Sequence, residues 1–349
     1  MASIYKTFTS NDIATVRDML HEAIPLTGTI ASGTYADDNI KTYSHDMFES
    51  VFDYPYLSSS ANHIFDLTAG FSSNSGLSAS ATDASIDPSK KINIYNEMAQ
   101  ILAGFDASGQ VREFDRDGDL SGGDVLSDVF VVNFARLLTK DEIKKQSFTI
   151  QFLTGGLVSE PTDLLTISDY GALTSYKTNS PAGEYGILYT GSAAAAGSGV
   201  GLVYYQAGIC LLTSSIFDQN TTNYIGPHQA AISNYDNVSD LLVSGSISGS
   251  ADSLRNRLYN ISFNNTVEIN STIYFCRANN NEFNYSSNPT YLSSSQIVVK
   301  NTAEENPKSF ITSVGLYSAD NELLATAKVS EPLEKNPSDE FTLRVRLDY

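Results

Sequence analysis

The chain has no tryptophan, two cysteines and four methionines in 349 residues, and only 17% of its residues are charged. Two cysteines cannot build the disulfide framework of a small secreted domain. Cys210 and Cys276 each sit in an apolar run, Gly208-Ile209-Cys210-Leu211-Leu212 and Ile273-Tyr274-Phe275-Cys276. They read as buried strand thiols made in a reducing cytoplasm, with one disulfide between them as the alternative. No stretch reaches the roughly 18 consecutive apolar residues of a membrane-spanning helix. Met1-Ala2-Ser3-Ile4-Tyr5-Lys6 lacks a basic region followed by an apolar one, so a secretory leader is not expected. Positive charge is also scarce, with 21 Lys+Arg against 40 Asp+Glu and a net charge of −19. That balance argues against nucleic acid and against an anionic membrane surface as partners, and leaves room for a basic protein partner.

Tyrosine (20), phenylalanine (17) and glycine (23) are plentiful, and apolar residues make up 41% of the chain. Few charges combined with much Ser, Thr, Asn and Tyr point to strands and polar loops rather than long surface helices. The expected fold is mainly β, with antiparallel, sandwich-like sheets, a few short helices and a C-terminal β-meander. A length prior of about 150 residues per domain allows two domains. A boundary near residue 160 would separate a mixed α/β region (1–160) from a β-rich one (161–349).

Three segments have helical spacing. Ser10 can cap a helix from Asn11 to Ile24, with Ile13, Val16, Leu20 and Ile24 on one face and Pro25 after its end. Asp87-Pro88 opens a second helix, with an Ile94, Tyr95, Met98, Ile101 and Leu102 stripe that packs on a sheet and a stop at Gly104. Leu254, Leu258 and Ile261 suggest a third within 241–260. Residues 26–85 read as loop-rich, with a strand from Ile64 to Ala69 and a polar surface loop from Ser72 to Ser85. Further strands are expected in "VFVVNFARL", over Ser147–Leu153, in "GEYGILYTGS" and "GVGLVYYQAGICLLTSS" on either side of "AAAAGSG", and over 261–269 and 272–278.

At the C-terminus, Phe310, Thr312, Val314 and Leu316 alternate with a second uncharged set, so both faces of that strand should be covered. Ser318-Ala319-Asp320-Asn321 has turn composition. Phe341, Leu343, Val345, Leu347 and Tyr349 then alternate with Thr342, Arg344, Arg346 and Asp348. Ser309–Val329 and Phe341–Tyr349 are expected to form one meander that ties down the last residue. Phe341, Leu343, Arg344, Val345, Arg346 and Leu347 are the candidate interface residues, the apolar set facing inward and the arginines facing acidic groups of this chain or a neighbour.

The candidate metal site is "FDRDGDLSGGD". Asp115, Asp117, Asp119 and Ser121 match the first four odd positions of a calcium loop, where alternating carboxylates supply oxygen ligands. Leu120 stands where that loop needs Gly, and Leu126 where it needs a bidentate Glu; an acidic hairpin loop is the plainer alternative. His21, His45, His63 and His228 have no zinc spacing, and His45-Asp46 lacks an accompanying nucleophile elbow. "GSAAAAGSGVG" has glycines without the Gly-Lys-Ser/Thr of a phosphate cradle. Nothing in the chain calls for catalysis, and the expectation is that it is not an enzyme.

Three stretches carry a resemblance. "SPAGEYGILYTGS" with "VGLVYYQAGICLLTSSIF", "YFCRANNNEFNYSSNPTYL" and "FITSVGLYSADNELLATAKVSEPLEKN" with the following "LRVRLDY" resemble segments of tail and baseplate structural proteins of contractile-tailed, T4-like phages of marine bacteria. "YKTFTSNDI" and "FDYPYL" near the N-terminus are similar to the same proteins. The resemblance covers roughly the second half of the chain and implies a virion protein made in the host cytoplasm. Such a subunit works by contacts with itself or other tail proteins, through edge strands that a monomer would blunt. A receptor-binding or fibre-attaching protein and a neck or head–tail connector component are the alternatives it leaves open.

Overall fold

The structure is a computed structural model that describes residues 5–27, 37–80, 86–120, 123–157, 160–190, 199–217, 238–285, 292–293, 296–297 and 308–349. The fold is mainly antiparallel β with a few short helices, as the composition implies. It divides into two compact units, one of Leu20–Val267 and one of Met1–Met19 with Glu268–Tyr349. The division does not follow a boundary near residue 160. Glu160 opens a strand paired with the one ending at Leu157, so backbone hydrogen bonds cross that point.

The first strand, β1 (Ile13–Thr27), replaces the helix expected over 11–24. Ile13 and Val16 are β-branched, and the neighbouring strand β15 (Leu258–Ala278) supplies backbone partners that local spacing cannot reveal. A single 3-10 turn, Ser10–Asp12, precedes it, and Thr9 rather than Ser10 forms its capping box with Asp12. The region expected to be loop-rich holds β2 (Ile40–Thr42), β3 (Glu49–Phe52), β4 (His63–Phe71) and α1 (Gly76–Ser80), and Ser72 and Ser75 are buried rather than on a surface loop.

Helix α2 (Ile86–Leu102) is the expected second helix, closed by Gly104 at φ +79°. It packs on β4, whose Gly70 is required there: a Cβ would stand 2.7 Å from the Lys91 carbonyl oxygen. Its buried stripe is Lys91, Ile94, Tyr95, Ala99 and Leu102, whereas Ile101 is 64% exposed. At roughly 100° per residue, Ile101 lies at the edge of that stripe.

Next come β5 (Phe114–Asp115), β6 (Val125–Leu126), β7 (Asp128–Phe134), α3 (Arg136–Thr139), β8 (Glu142–Ile143), β9 (Thr149–Leu157), β10 (Glu160–Ser168), α4 (Ala172–Ser175), β11 (Lys177–Ser180) and β12 (Gly183–Thr190). The second apolar run around the alanine stretch is two strands, β13 (Gly201–Tyr204) and β14 (Ile209–Thr213), joined by a turn through Gly208. Within the larger unit the sheet runs β9-β10-β12-β13-β14-β7-β4-β3-β2, every neighbour antiparallel.

Period-2 alternation feeds two cores. Along β7, Phe130, Val132 and Phe134 enter one apolar cluster, while Val129 and Val131 enter the other. Val203, Cys210 and Leu212 join the first; Leu202, Tyr204 and Leu211 join the second. The first is covered by α5 (Val238–Ser244) and α6 (Ile247–Arg257) through Leu241, Leu242, Ala251 and Leu254; the second by α2 through Tyr95, Ala99 and Leu102. The expected third helix is therefore two short ones, and Leu258 begins a strand instead of ending a helix.

That strand, β15 (Leu258–Ala278), runs 21 residues without interruption where two strands were expected. After it come two short strands, β16 (Leu292–Ser293) and β17 (Gln296–Ile297), then β18 (Ser309–Tyr317), β19 (Leu323–Lys335) and β20 (Phe341–Asp348). The anticipated single meander is not what forms. β18 and β19 make a two-stranded sheet of their own, whereas β20 pairs along its length with β15, from Ser271↔Asp348 to Ala278↔Phe341. β20's eight residues match the end of β15 in register, and that pairing is indifferent to nearness in sequence.

Candidate functional site

The acidic loop is built from its hairpin upward. β5 pairs β6 (Phe114↔Leu126, Asp115↔Val125), and the Arg116 amide donates to the Asp124 carbonyl at 2.7 Å. Tyr95 of α2 fixes the hairpin's base. Its hydroxyl donates to the Leu126 carbonyl at 2.8 Å and accepts from the Phe114 amide at 3.1 Å.

Above that base the structure brings Asp115, Asp117 and Asp119 together, each with a carboxylate oxygen within 4.8 Å of the others. Ser121 lies outside the described residues. Asp115 accepts hydrogen bonds from the amides of Asp117 (3.2 Å) and Leu120, and Asp117 accepts from the Asp119 amide at 3.1 Å. The turn needs φ +74° at Gly118 and +58° at Leu120, so Leu120 takes the left-handed conformation that a calcium loop assigns to glycine. Asn179 donates to the Gly118 carbonyl at 3.0 Å and accepts from the Tyr185 hydroxyl at 2.8 Å.

Burial holds the Asp115 carboxyl above its ordinary range. The Asp119 amide first, and the Lys177 ammonium with it, hold Asp117 below it. The trio could give a hard cation three oxygens from one short segment. The adjoining cleft, lined by Leu102, Asp115, Asn179, Tyr185 and Tyr204 among others, is too small for an organic substrate.

Among the described residues the histidines do not converge. His21 contacts the Thr266 hydroxyl at 3.1 Å, His63 bonds Asp66 at 2.7 Å, and His45 stacks on Tyr43 and accepts from the Met47 amide. Asp46 turns away from its neighbour to accept from the Ser248 amide at the start of α6. His228 falls outside the described residues. Cys210 is buried and Cys276 half-buried, both as free thiols, and burial pushes both upward.

The candidate interface strand keeps its alternation. Phe341, Leu343, Val345 and Leu347 are half-buried, and Thr342, Arg344, Arg346 and Asp348 exposed. Arg346 is already engaged, with Asp348 at 2.6 Å and the Ser271 hydroxyl at 2.9 Å. The Tyr349 backbone exchanges hydrogen bonds with Asn270 at 2.8 and 3.1 Å. β18, expected to be covered on both faces, is not: only Ser309 and Leu316 are buried, and Phe310 is 51% exposed.

Among the described residues, several buried ionisable groups escaped the sequence reading, Lys91, Lys335, Asp169 and Glu49 among them. Lys91 and Lys335 are fully buried and donate to carbonyls at 2.7–3.2 Å. Asp169 accepts from the amides of Gln146 and Phe148 and from the Tyr205 hydroxyl, while burial pushes its carboxyl up to about 7. Glu49, pushed up to about 8 by burial with Asp252 and Asp46 adding to it and Arg255 opposing, leaves one carboxylate oxygen without a hydrogen bond. The only local signal was a charged residue inside an otherwise apolar stripe, as with Lys91. The chain matches no protein-family model, no curated protein and no solved structure.

Proposed function

We propose that this chain is a structural subunit of a contractile phage tail, placed in the baseplate or at a tail end, and that it works through static protein–protein contacts rather than catalysis. One coincidence carries the reading. One of the stretches that resemble tail proteins, Phe310 to Asn336, falls on the β18–β19 hairpin, and Phe310, Tyr317, Leu323 and Leu324 stand 43–68% exposed on it. Apolar side chains held out on a hairpin have a direct use at a joint between subunits.

Immunogold labelling of particles by an antibody against this chain tests the proposal. Gold at the tail tip supports it; gold confined to the head, or absent from particles, removes it. A receptor-binding role has a narrower observation in its favour, the loop on which Tyr54 (58%), Tyr56 (36%) and Leu57 (86%) are exposed. Binding of the purified chain to a glycan array, lost in Tyr54→Ala/Tyr56→Ala, would favour that role.

A further inference from the structure

Helix α6 lies over the sheet at a seam that polar side chains do not close. Glu49 of β3 points to the same face as Val51, two residues on, and Val51 belongs to the apolar cluster that α5 and α6 cover. Glu49 is 2% exposed, and its Oε2 has no hydrogen-bond partner. Across the seam, Arg255 of α6 is buried too, and its Nε has no partner either. A buried acceptor on the strand and a buried donor on the helix thus stand unjoined. The Arg255 guanidinium is engaged instead by Asp252, three residues back on the same helix.

The charges around Glu49 do not favour an anion there. Asp252 and Asp46 act against its ionisation, and Arg255 acts for it. The neighbouring strands add no charge on that side. Glu49 stands opposite Thr42 on β2 and Leu67 on β4, while Asp66 of β4 accepts from the Ser50 hydroxyl on the other face. A carboxyl buried beside two carboxylates, with the one nearby cation already engaged, keeps its proton.

The two ends of α6 are held differently. At its C-terminal end Arg257 donates to the Leu153 carbonyl at 3.1 Å, and the chain runs on into β15. Its first two turns are held mainly by apolar packing, with Ala251 and Leu254 in the same cluster as Phe65 and Leu67 of β4. One polar tie joins the first turn to the residues before β3, the Ser248 amide donating to the Asp46 carboxylate at 3.3 Å. β3, by contrast, is locked by backbone ladders to β2 and to β4. Water therefore reaches Glu49 most cheaply from the helix side, because lifting a helix breaks no ladder. Wetting the seam would satisfy both orphaned groups and let Glu49 ionise, which offsets part of the cost of lifting α6.

We infer that α6 is a pH-gated flap, docked over β3 while Glu49 holds its proton and lifting locally from the sheet, short of global unfolding, as that proton is released. The docked state holds a proton that the lifted state gives up. Docking is then strongest in acid and weakens by up to about tenfold per pH unit between the carboxyl's ordinary value of 4.5 and its buried value of about 8.

Hydrogen exchange of the full chain, read by mass spectrometry between those two pH values and corrected for intrinsic rates, tests the flap. The α6 amides should be less protected than those of α2, and their protection should fall by up to about tenfold per pH unit. Glu49→Gln should remove that fall. Should that variant not fold, Asp252→Asn removes the stronger of the two repulsions on Glu49, and the fall should level off at a lower pH than in the wild type. An α6 protected as well as α2 overturns the inference, as does an unchanged pH dependence in whichever variant folds.

Discussion

The Lys91 ammonium lies 2.7 Å from the carbonyl oxygen of Gly245, and 2.7 Å from that of Leu242, at the C-terminal end of α5. A fully buried lysine on one helix thus satisfies the unpaired carbonyls that end another, where the helix dipole also favours a cation. Lys91→Met keeps the apolar stem of the side chain and removes the ammonium. It should cost about 1–3 kcal/mol for each buried carbonyl left without a donor. Thermal and urea unfolding of the variant would measure that loss; an unchanged midpoint would mean water replaces the ammonium.

Tyr95 should matter beyond its packing, because its hydroxyl bridges β5 and β6 beneath the acidic loop. Tyr95→Phe keeps the ring against Phe114 and removes both hydrogen bonds. A loss of about 1–3 kcal/mol is expected, together with faster amide exchange at Phe114 than at β7. Equal protection at both places would show that the bridge does not hold the loop.

Glu49 makes a pH-dependent prediction. Burial raises its folded-state carboxyl to about 8, so the folded protein holds a proton that the unfolded chain releases near the ordinary glutamate value of 4.5. Its contribution is fully present below that lower value and is lost as pH rises through the folded one. Glu49→Gln mimics the protonated form. The variant should match the wild type near pH 4.5 and be increasingly the more stable of the two up to about pH 8. Parallel stability curves for the two proteins would contradict this.

Calcium should raise the melting temperature if the Asp115, Asp117 and Asp119 oxygens take the ion, since a ligand bound only by the folded state stabilises it by about 2.7 kcal/mol at a hundredfold excess over Kd. Asp117→Ala should abolish the rise. Identical melting in calcium and in chelator would leave the loop as a hairpin held by its own amides and by Asn179.

What the sequence determined by itself is the set of side chains that share a face. Alternation along β7, β13 and β14 fell into place because a strand's side chains alternate whatever its neighbours are, and both faces of those strands are buried. The entry at Pro88 and the stop at Gly104 bounded α2 for equally local reasons. The three aspartates were legible as neighbours because a short loop cannot separate them.

Tertiary structure alone decided which strand pairs with which. β1 has helical spacing, yet it lies beside β15, some 250 residues away in sequence. β20 follows β19 directly but takes β15 as its partner, and the inward set Phe341, Leu343, Val345 and Leu347 would have read the same beside either. The burial of Lys91 depends on where α5 ends, about 150 residues downstream. Backbone hydrogen bonds are alike at every residue, so they reward any partner whose register and buried face fit, and that fit exists only once distant segments have been brought together.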